Sequence, residues 1–269
     1  MAGLTIATWN INSVRLRAPQ VAMFAAEADP DVICLQEIKC EKDQFPYKAF
    51  RDMGYAHVHV TGQKGMHGVA TVSRLPLEAL DDEPICPLGH ARHQRVKIEG
   101  VEIQNYYIPA GGDEPDPEVN PRFRHKLDFL DCLEGYFARR AAEDGQIIAV
   151  GDFNIAPREH DVWSHKQLLK VVSHTPVETD ALERIRKAGR FTDIARELIP
   201  EPEKIYTWWS YRNRDWRKSN RGRRLDHIWT SPALHAAATS GGRDAFRIWD
   251  HTRDWEKPSD HAPVTLKLG

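Results

Sequence analysis

The chain has 269 residues, 41% of them hydrophobic and 28% charged, with a formal net charge of −2. This is globular composition with enough chain for a large core, which excludes a disordered polymer. It also excludes a general polyanion-coating protein, which would be far more basic. The four cysteines, Cys34, Cys40, Cys86 and Cys132, form no Cys-x-x-Cys pair and no zinc-finger spacing, so they read as reduced thiols. No window approaches a membrane span, and the N-terminus lacks a basic start followed by a long apolar segment. The expectation is a soluble, cytoplasmic protein.

Strand-like runs then recur along the chain. "LTIATWNIN" (4–12) precedes a helical pattern at residues 15–28, with apolar groups at Leu16, Val21, Phe24 and Ala25. "DVICLQE" (31–37), "GVATVS" (68–73) and "VEIQNYYIP" (101–109) follow, rich in β-branched and aromatic residues. "PAGGDEPDPEVNP" (109–121) reads as a long loop. Asn120 and Pro121 mark an N-cap and a first-turn proline. Behind them Phe123, Leu127, Leu130, Leu133 and Phe137 repeat at helical spacing. "IIAVGDFN" (147–154) comes next, then helix candidates at 178–188 and 191–198. "YTWWSY" (206–211), "RLDHIWTS" (224–231) and "APVTLKL" (262–268) complete the series. No Ser/Gly-rich linker divides the chain. These elements predict a single α/β domain over residues 1–269, with two packed sheets and outer helices.

Acids and amides gather where apolar strands end. Asn10 and Asn12 follow "IATW", Glu37 ends "VICLQ", Tyr107 sits in "QNYYIP", and Asp152 and Asn154 follow "IIAV". Asp226 interrupts "RLDHIW", and Asp260 and His261 precede "APVTLKL". Residues two apart on a strand face one side, so each Asn/Asp pair could address one pocket. Oxygen donors of this kind suit Mg²⁺ or Mn²⁺ rather than zinc, with Glu37 the leading ligand candidate. A histidine with an acidic partner makes a polarised, protonatable imidazole, and Asp226 is a candidate partner for His261.

Seven motifs in order, "TWNINSVR", "DVICLQEIK", "GQKGMHGVA", "NYYIPAGG", "GDFNIAP", "RGRRLDHIWTS" and "PSDHAPV", resemble the exonuclease III family of abasic-site nucleases. The resemblance runs from about residue 4 to 268, essentially the whole chain. It implies a DNase I-like fold, a four-layered α/β sandwich of two packed mixed sheets flanked by helices. It also implies a metal-dependent hydrolase that incises DNA 5′ to abasic sites, with 3′→5′ exonuclease and 3′-end-cleaning activity. Carried over by position, Glu37 is the metal ligand, with Asn10 and Asp260 in the metal set. Tyr107 and Asn154 contact phosphate. Asp152 orients or deprotonates water, and Asp226 pairs with His261. Trp208 and Leu225 match apolar positions of the abasic-sugar pocket. Two residues depart from the pattern. Ala110 stands where relatives commonly carry an amide, and Arg223 where some carry a pocket aromatic.

The run "RNRDWRKSNRGRR" (212–224) packs seven arginines and lysines against one acid, Asp215. Arg212, Arg221, Arg223 and Arg224 thus become candidates for phosphate contact. "GQKGMHG" (62–68) lacks Walker A spacing and reads as a hairpin loop facing the DNA, with Lys64 near its tip. The implied partner is double-stranded DNA, met by a bacterial monomer without membrane contact. Two rivals remain. One is a phosphoinositide- or sphingomyelin-directed phosphoesterase of the same superfamily, and the other a DNA-binding module without catalysis.

Overall fold

Strict alternation along the apolar strands builds the layers. In β1 (Thr5–Asn10), Ile6 enters one buried cluster while Ala7 and Trp9 enter another. In β2 (Val32–Gln36), Val32 and Cys34 join the first cluster and Ile33 and Leu35 the second. Successive strand side chains face opposite ways, so a sheet covered on both faces must be apolar throughout. The structure, a computed structural model, describes residues 3–269 except 82, 142, 144 and 214. Arg214 of the basic run therefore lies outside the described residues.

The later strands are β3 (His57–Thr61), β4 (Val69–Ser73), β5 (Glu78–Ala79), β6 (His93–Ile98), β7 (Val101–Tyr107), β8 (Ile147–Asp152), β9 (Thr192–Asp193), β10 (Trp208–Trp209), β11 (Gly222–Arg223), β12 (Asp226–Thr230), β13 (Phe246–Ile248) and β14 (Val264–Lys267). Twelve of the strands form two six-stranded sheets among the described residues, ordered β13-β14-β1-β2-β4-β3 and β5-β6-β7-β8-β12-β9, and β10 pairs with β11 in a separate two-stranded ribbon. Each sheet carries one parallel pair, β1–β2 and β7–β8, within otherwise antiparallel pairing. Ile6, Val32 and Leu266 of the first sheet meet Ile103, Ile148 and Ile228 of the second, a core shared between the sheets.

Helices cover the outer faces. On the first sheet lie α1 (Val14–Ala28) and α2 (Tyr47–Asp52), through Val21, Phe24 and Phe50. On the second lie α3 (Pro121–Arg140) and α5 (Pro176–Ala188), through Phe129, Leu133, Leu182 and Ile185. The short α4 (His165–Leu168) sits before α5. This is the expected four-layered α/β sandwich. Each large apolar side chain fully buried contributes ~1.5–3 kcal/mol, and it is these stripes rather than propensity that place the helices.

Several local expectations need correction. In α1 the buried face runs through Val14, Ala18, Val21, Phe24 and Ala25, while Leu16 is 56% exposed. The 191–198 segment is not one helix. Thr192–Asp193 pairs with β12, and only Ile194–Leu198 is helical. "YTWWSY" contributes just the two residues of β10. The 62–68 segment does form the hairpin loop between β3 and β4. Asn120 caps α3 as expected, accepting Arg122 N–H at 3.0 Å.

Candidate active site

The polar residues converge where β1, β2, β7, β8 and β12 end. Three are released from their strands by left-handed backbone. Asn12, Glu37 and Asn154 have φ of 47°, 49° and 54°. The pairs Asn10/Asn12 and Asp152/Asn154 therefore meet through a turn, not as neighbours on one strand face as the spacing implied. Non-glycine residues held in this region cluster at functional sites. Gly151, at φ 138°, precedes Asp152 because any Cβ there would stand 1.9 Å from the Tyr106 carbonyl oxygen.

Asp152 sits at the centre, 1% exposed. Its Oδ1 accepts Asn154 N–H at 2.9 Å. Its Oδ2 accepts the Asn10 amide at 2.8 Å and the Asn154 amide at 3.0 Å. Burial pushes its carboxyl up to about 7, against the opposing pull of His261. The His261 Nδ1 lies 2.8 Å from Asp226 Oδ2, and its Nε2 lies 3.7 Å from Asp152 Oδ2. Burial opposes the imidazolium, yet Asp226 and Asp152 outweigh it and raise His261 to about 10. His261 is therefore protonated at neutral pH. Its Nε2–H is free of a close acceptor, available to a substrate oxygen. Asp152, Asp226 and His261 lie close enough together to suggest a metal cage. His261 directs Nδ1 at Asp226 and Nε2 towards Asp152, an arrangement that also suits a hydrogen-bond relay.

Glu37 forms the second half of the site. Its Oε1 accepts from Asn10 Nδ2 at 3.0 Å and from Tyr107 Oη at 2.8 Å. Lys39 Nζ stands 2.9 Å from Oε2. Burial opposes its charge, but Lys39, Asn10 and Tyr107 hold the carboxyl below its usual range, so it is ionised. Burial, with Glu37 and Asp152 nearby, holds the Tyr107 hydroxyl protonated as a donor. Asp260 is also held below the carboxylate range. Burial opposes this, and His261, Trp208 and Asn12 prevail. Its Oδ2 accepts Trp208 Nε1 at 3.0 Å and its Oδ1 accepts Asn12 Nδ2 at 3.2 Å.

Among the described residues the four carboxylates meet two cations in direct contact, His261 and Lys39, so acids outnumber cations there. The donors are hard oxygens, the set a Mg²⁺-like ion takes, and Glu37 and Asp260 line one cavity. Asn10 Oδ1 accepts Asn12 N–H at 3.1 Å, and its amide nitrogen donates to both Glu37 and Asp152, so it spaces the two carboxylates.

The cavity beside these groups is lined by Asn154, Trp163, Val172, Trp208, Arg223 and Leu225, with Arg212 and Arg221 also on its wall. Trp208 is half-buried and faces it, while Trp209 packs with Tyr206, Trp216 and Ala262. This is the division the adjacent strand positions implied. Leu225 packs with Ala156, Val162 and Leu168 beneath the cavity. Arg223 stacks its guanidinium 5.2 Å above the Trp208 ring and donates to Val172 O and Ser173 Oγ. It is therefore a wall of the cavity rather than part of an open basic surface.

Arg224 must be withdrawn from the DNA-contacting set. It is fully buried, bonded to Asp161 and Asp193. Arg217 is engaged by Asp254. Arg212, Arg221 and Lys64 are exposed.

Sequence reasoning missed three contributors. Lys39, two residues beyond Glu37, bridges it to Asn12 Oδ1 at 2.6 Å. Lys126 of α3 is fully buried, donating to Asn154 O at 2.8 Å and pairing with Glu178 Oε1 at 2.5 Å. The signal was present, because Lys126 falls on the buried stripe with Phe123, Leu130 and Leu133. Thr207 Oγ1 accepts the N–H groups of Leu225 and Asp226, a contact with no sequence signature.

A family model for the endonuclease/exonuclease/phosphatase family matches residues 7–261. The chain is 30% identical to exodeoxyribonuclease III of Haemophilus influenzae, over 96% of this chain and 97% of that protein. It is 27% identical to the DNA repair nuclease APEX1 of Danio rerio, over 99% of this chain and 83% of that one. Among solved structures it is similar to the 3′ phosphatase NExo from Neisseria bound to a product DNA hairpin. That match has TM-score 0.89 and 33% identity, and covers 99% of both chains. An AP endonuclease from Archaeoglobus fulgidus matches at TM-score 0.86 and 32% identity, over 98% of this chain and 99% of that one. The chain belongs to the endonuclease/exonuclease/phosphatase family and is a nuclease of its exodeoxyribonuclease III type.

Proposed function

We propose that this nuclease hydrolyses the phosphodiester on the 5′ side of an abasic site in duplex DNA, leaving a 3′-hydroxyl and a 5′-phosphate, and that the same site trims and cleans 3′ ends. The observation that carries this is Asp152, a buried carboxylate raised to about 7 beside a protonated His261 on the wall of an open cavity. A general base works best with a pKa near the operating pH. Relatives described as a 3′ phosphatase and an AP endonuclease support the DNA substrate.

In this reading Asp152 aligns a water opposite the 3′ oxygen and accepts its proton. His261 Nε2–H donates to a non-bridging phosphate oxygen, and Asp226 keeps that imidazole charged and aimed. Tyr107 and Asn154, whose donors rest on Glu37, Asp152 and the Ile108 carbonyl, would turn them to the phosphate on substrate binding. Glu37 and Asp260 would hold a divalent cation, Mg²⁺ or Mn²⁺, which supplies Lewis-acid stabilisation of charge on the phosphate and the departing oxygen. Lys39 would yield its contact with Glu37 on loading.

Trp208, Leu225 and the stacked Arg223 wall the cavity that would receive a flipped baseless sugar. Arg212, Arg221 and Lys64 contact flanking phosphates. The whole chain acts as one domain and a monomer, in the cytoplasm with the DNA. Asp260 belongs to the metal set through its charge.

The test is an end-labelled duplex with one abasic analogue, incubated with and without Mg²⁺ and resolved on a gel. The expected product is a metal-dependent cut immediately 5′ to the lesion with a 3′-hydroxyl end. No cleavage, alongside release of phosphate from a phosphoinositide, would transfer the chain to the rival phosphoesterase reading.

A further inference from the structure

Outside the cleft, the segment before β6 meets α3 at a cluster of sulfur and nitrogen donors. Cys86 Sγ lies 3.2 Å from His125 Nε2. The His90 ring meets His125 edge-on with centroids 5.2 Å apart, and its other side stacks on His67 at 4.6 Å. One ligand atom from each of Cys86, His90 and His125 lies within 4.8 Å of the other two. His90 Nδ1 is buried and has no hydrogen-bond partner. A buried nitrogen left unpaired calls for an explanation. His125 comes from a helix 35 residues further along the chain, so neither local geometry nor short spacing produces the cluster. No step proposed for the cleft uses any of the three.

The donor set is one thiol and two imidazoles. It suits Zn²⁺ or another borderline-soft divalent metal and not the hard ion of the cleft. Tetrahedral zinc, with bonds of about 2.3 Å to sulfur and about 2.0 Å to nitrogen, sets its ligand atoms roughly 3.3 to 3.6 Å apart. Cys86 and His125 already stand at 3.2 Å, and His90 would close in from within 4.8 Å. Burial and the nearby Arg92 hold both imidazoles in the neutral form that carries a free lone pair, His125 at about 4. Arg92 also repels a dication. It is held by His67 Nδ1 at 2.9 Å and by the Tyr107 ring 4.7 Å away, and a thiolate ligand offsets one charge of the metal.

We propose that Cys86, His90 and His125 form a second metal site, selective for Zn²⁺-like ions, that fastens the segment before β6 onto α3. On binding, the thiol proton is released to solvent and a sulfur–metal bond takes its place. No electrons are transferred, and water fills the fourth position. The fastened segment leads into Arg92, whose carbonyl accepts Tyr107 N–H at 2.7 Å. The clip thus braces the flank of the cleft from behind. Cys86 and His90 are half-buried, which leaves an entry path for the ion.

The test is a Co²⁺ titration of the full chain, stripped of metal by chelation. Excess Mg²⁺ is present throughout to keep the oxygen donors of the cleft occupied. The expected result is one equivalent of Co²⁺ with a sulfur-to-cobalt charge-transfer band, displaced by Zn²⁺. The band should vanish in Cys86→Ser and persist in Cys132→Ser, while His125→Ala weakens binding by roughly tenfold or more. Zn²⁺ should raise the melting temperature of the wild type and leave that of Cys86→Ser unmoved, which separates a lost ligand from a damaged fold. Absence of the charge-transfer band, or its survival in Cys86→Ser, overturns the proposal.

Discussion

Arg224 and Asp226 stand two residues apart at the start of β12, and each anchors a cluster of buried charges with opposite character. Around Arg224, two acids meet two arginines. Asp161 accepts from both Arg196 and Arg224, and Asp193 receives the remaining Arg224 donors at 3.0 and 2.8 Å. Burial opposes the charge of Asp161, but Arg224 and Arg196 hold its carboxyl low. Around Asp226, the acids outnumber the cations. Asp226 Oδ1 is buried with no partner, and Asp152 is pushed up rather than down. Buried ion clusters with every atom satisfied serve structure, whereas unsatisfied groups with perturbed protonation mark chemistry. Burial alone does not separate the two, since Asp161 and Asp152 are equally enclosed. The balance of partners does.

That contrast can be broken most strongly at His261. Replacing it, His261→Gln, removes the charged donor and should cut turnover by ~10²–10³-fold in single-turnover assays. Glutamine can still donate to Asp226, but the lost ion pair should lower the melting temperature, so turnover is read on the folded protein. The mirror experiment is Arg224→Met. Stranding Asp161 and Asp193 should cost about 3–5 kcal/mol in urea unfolding, with kcat of the folded protein retained. An Arg224→Met variant that lost activity but not stability would blur the distinction between the clusters.

The contrast is sharpened by pH. A carboxyl raised to about 7 carries its proton below that pH and cannot accept another, so kcat should fall about tenfold per unit on the acid side. His261 is raised to about 10, so it remains a donor across the neutral range and is lost only in alkali. Asp226→Asn removes the partner that sustains this charge and should shift the alkaline limb of the kcat profile downward.

The smallest effect belongs to the rim. Arg221 is exposed, stacked 4.7 Å from the Trp163 ring. Arg221→Ala should raise KM a few-fold and reduce the slope of log affinity against log salt by about 1, with kcat unchanged. An effect on kcat instead would move Arg221 from binding into the chemistry.

Much of the site was legible because its residues interrupt or end apolar strands. Asp152 after "IIAV" and Asp226 inside "RLDHIW" are conspicuous there. The fates of Arg223 and Arg224 were not. Both belong to one basic run, yet the chain directs one to the cavity wall and the other into the interior. The positions of Asp161, more than sixty residues earlier, and Asp193 decide this. β3, "HVHVT", and β6, "HQRVKI", went unread for a related reason. Gln94 of β6 is buried, but its amide is satisfied across the sandwich by Thr71 Oγ1 at 2.6 Å. A polar pair of this kind hides a strand from any reading by hydrophobicity. Lys126 was hidden in the same way, its ammonium neutralised by a glutamate in another helix.

The most direct test is Asp152→Asn, assayed for both turnover and DNA affinity on the abasic duplex at neutral pH. The substitution keeps the shape and one acceptor oxygen, enough for either Asn154 N–H or the Asn10 and Asn154 amides, while removing the base. The expected result is a fall in kcat of ~10²–10⁴-fold with affinity and melting temperature nearly unchanged. Near-normal turnover would contradict the assignment of Asp152 as the residue that takes the proton from water.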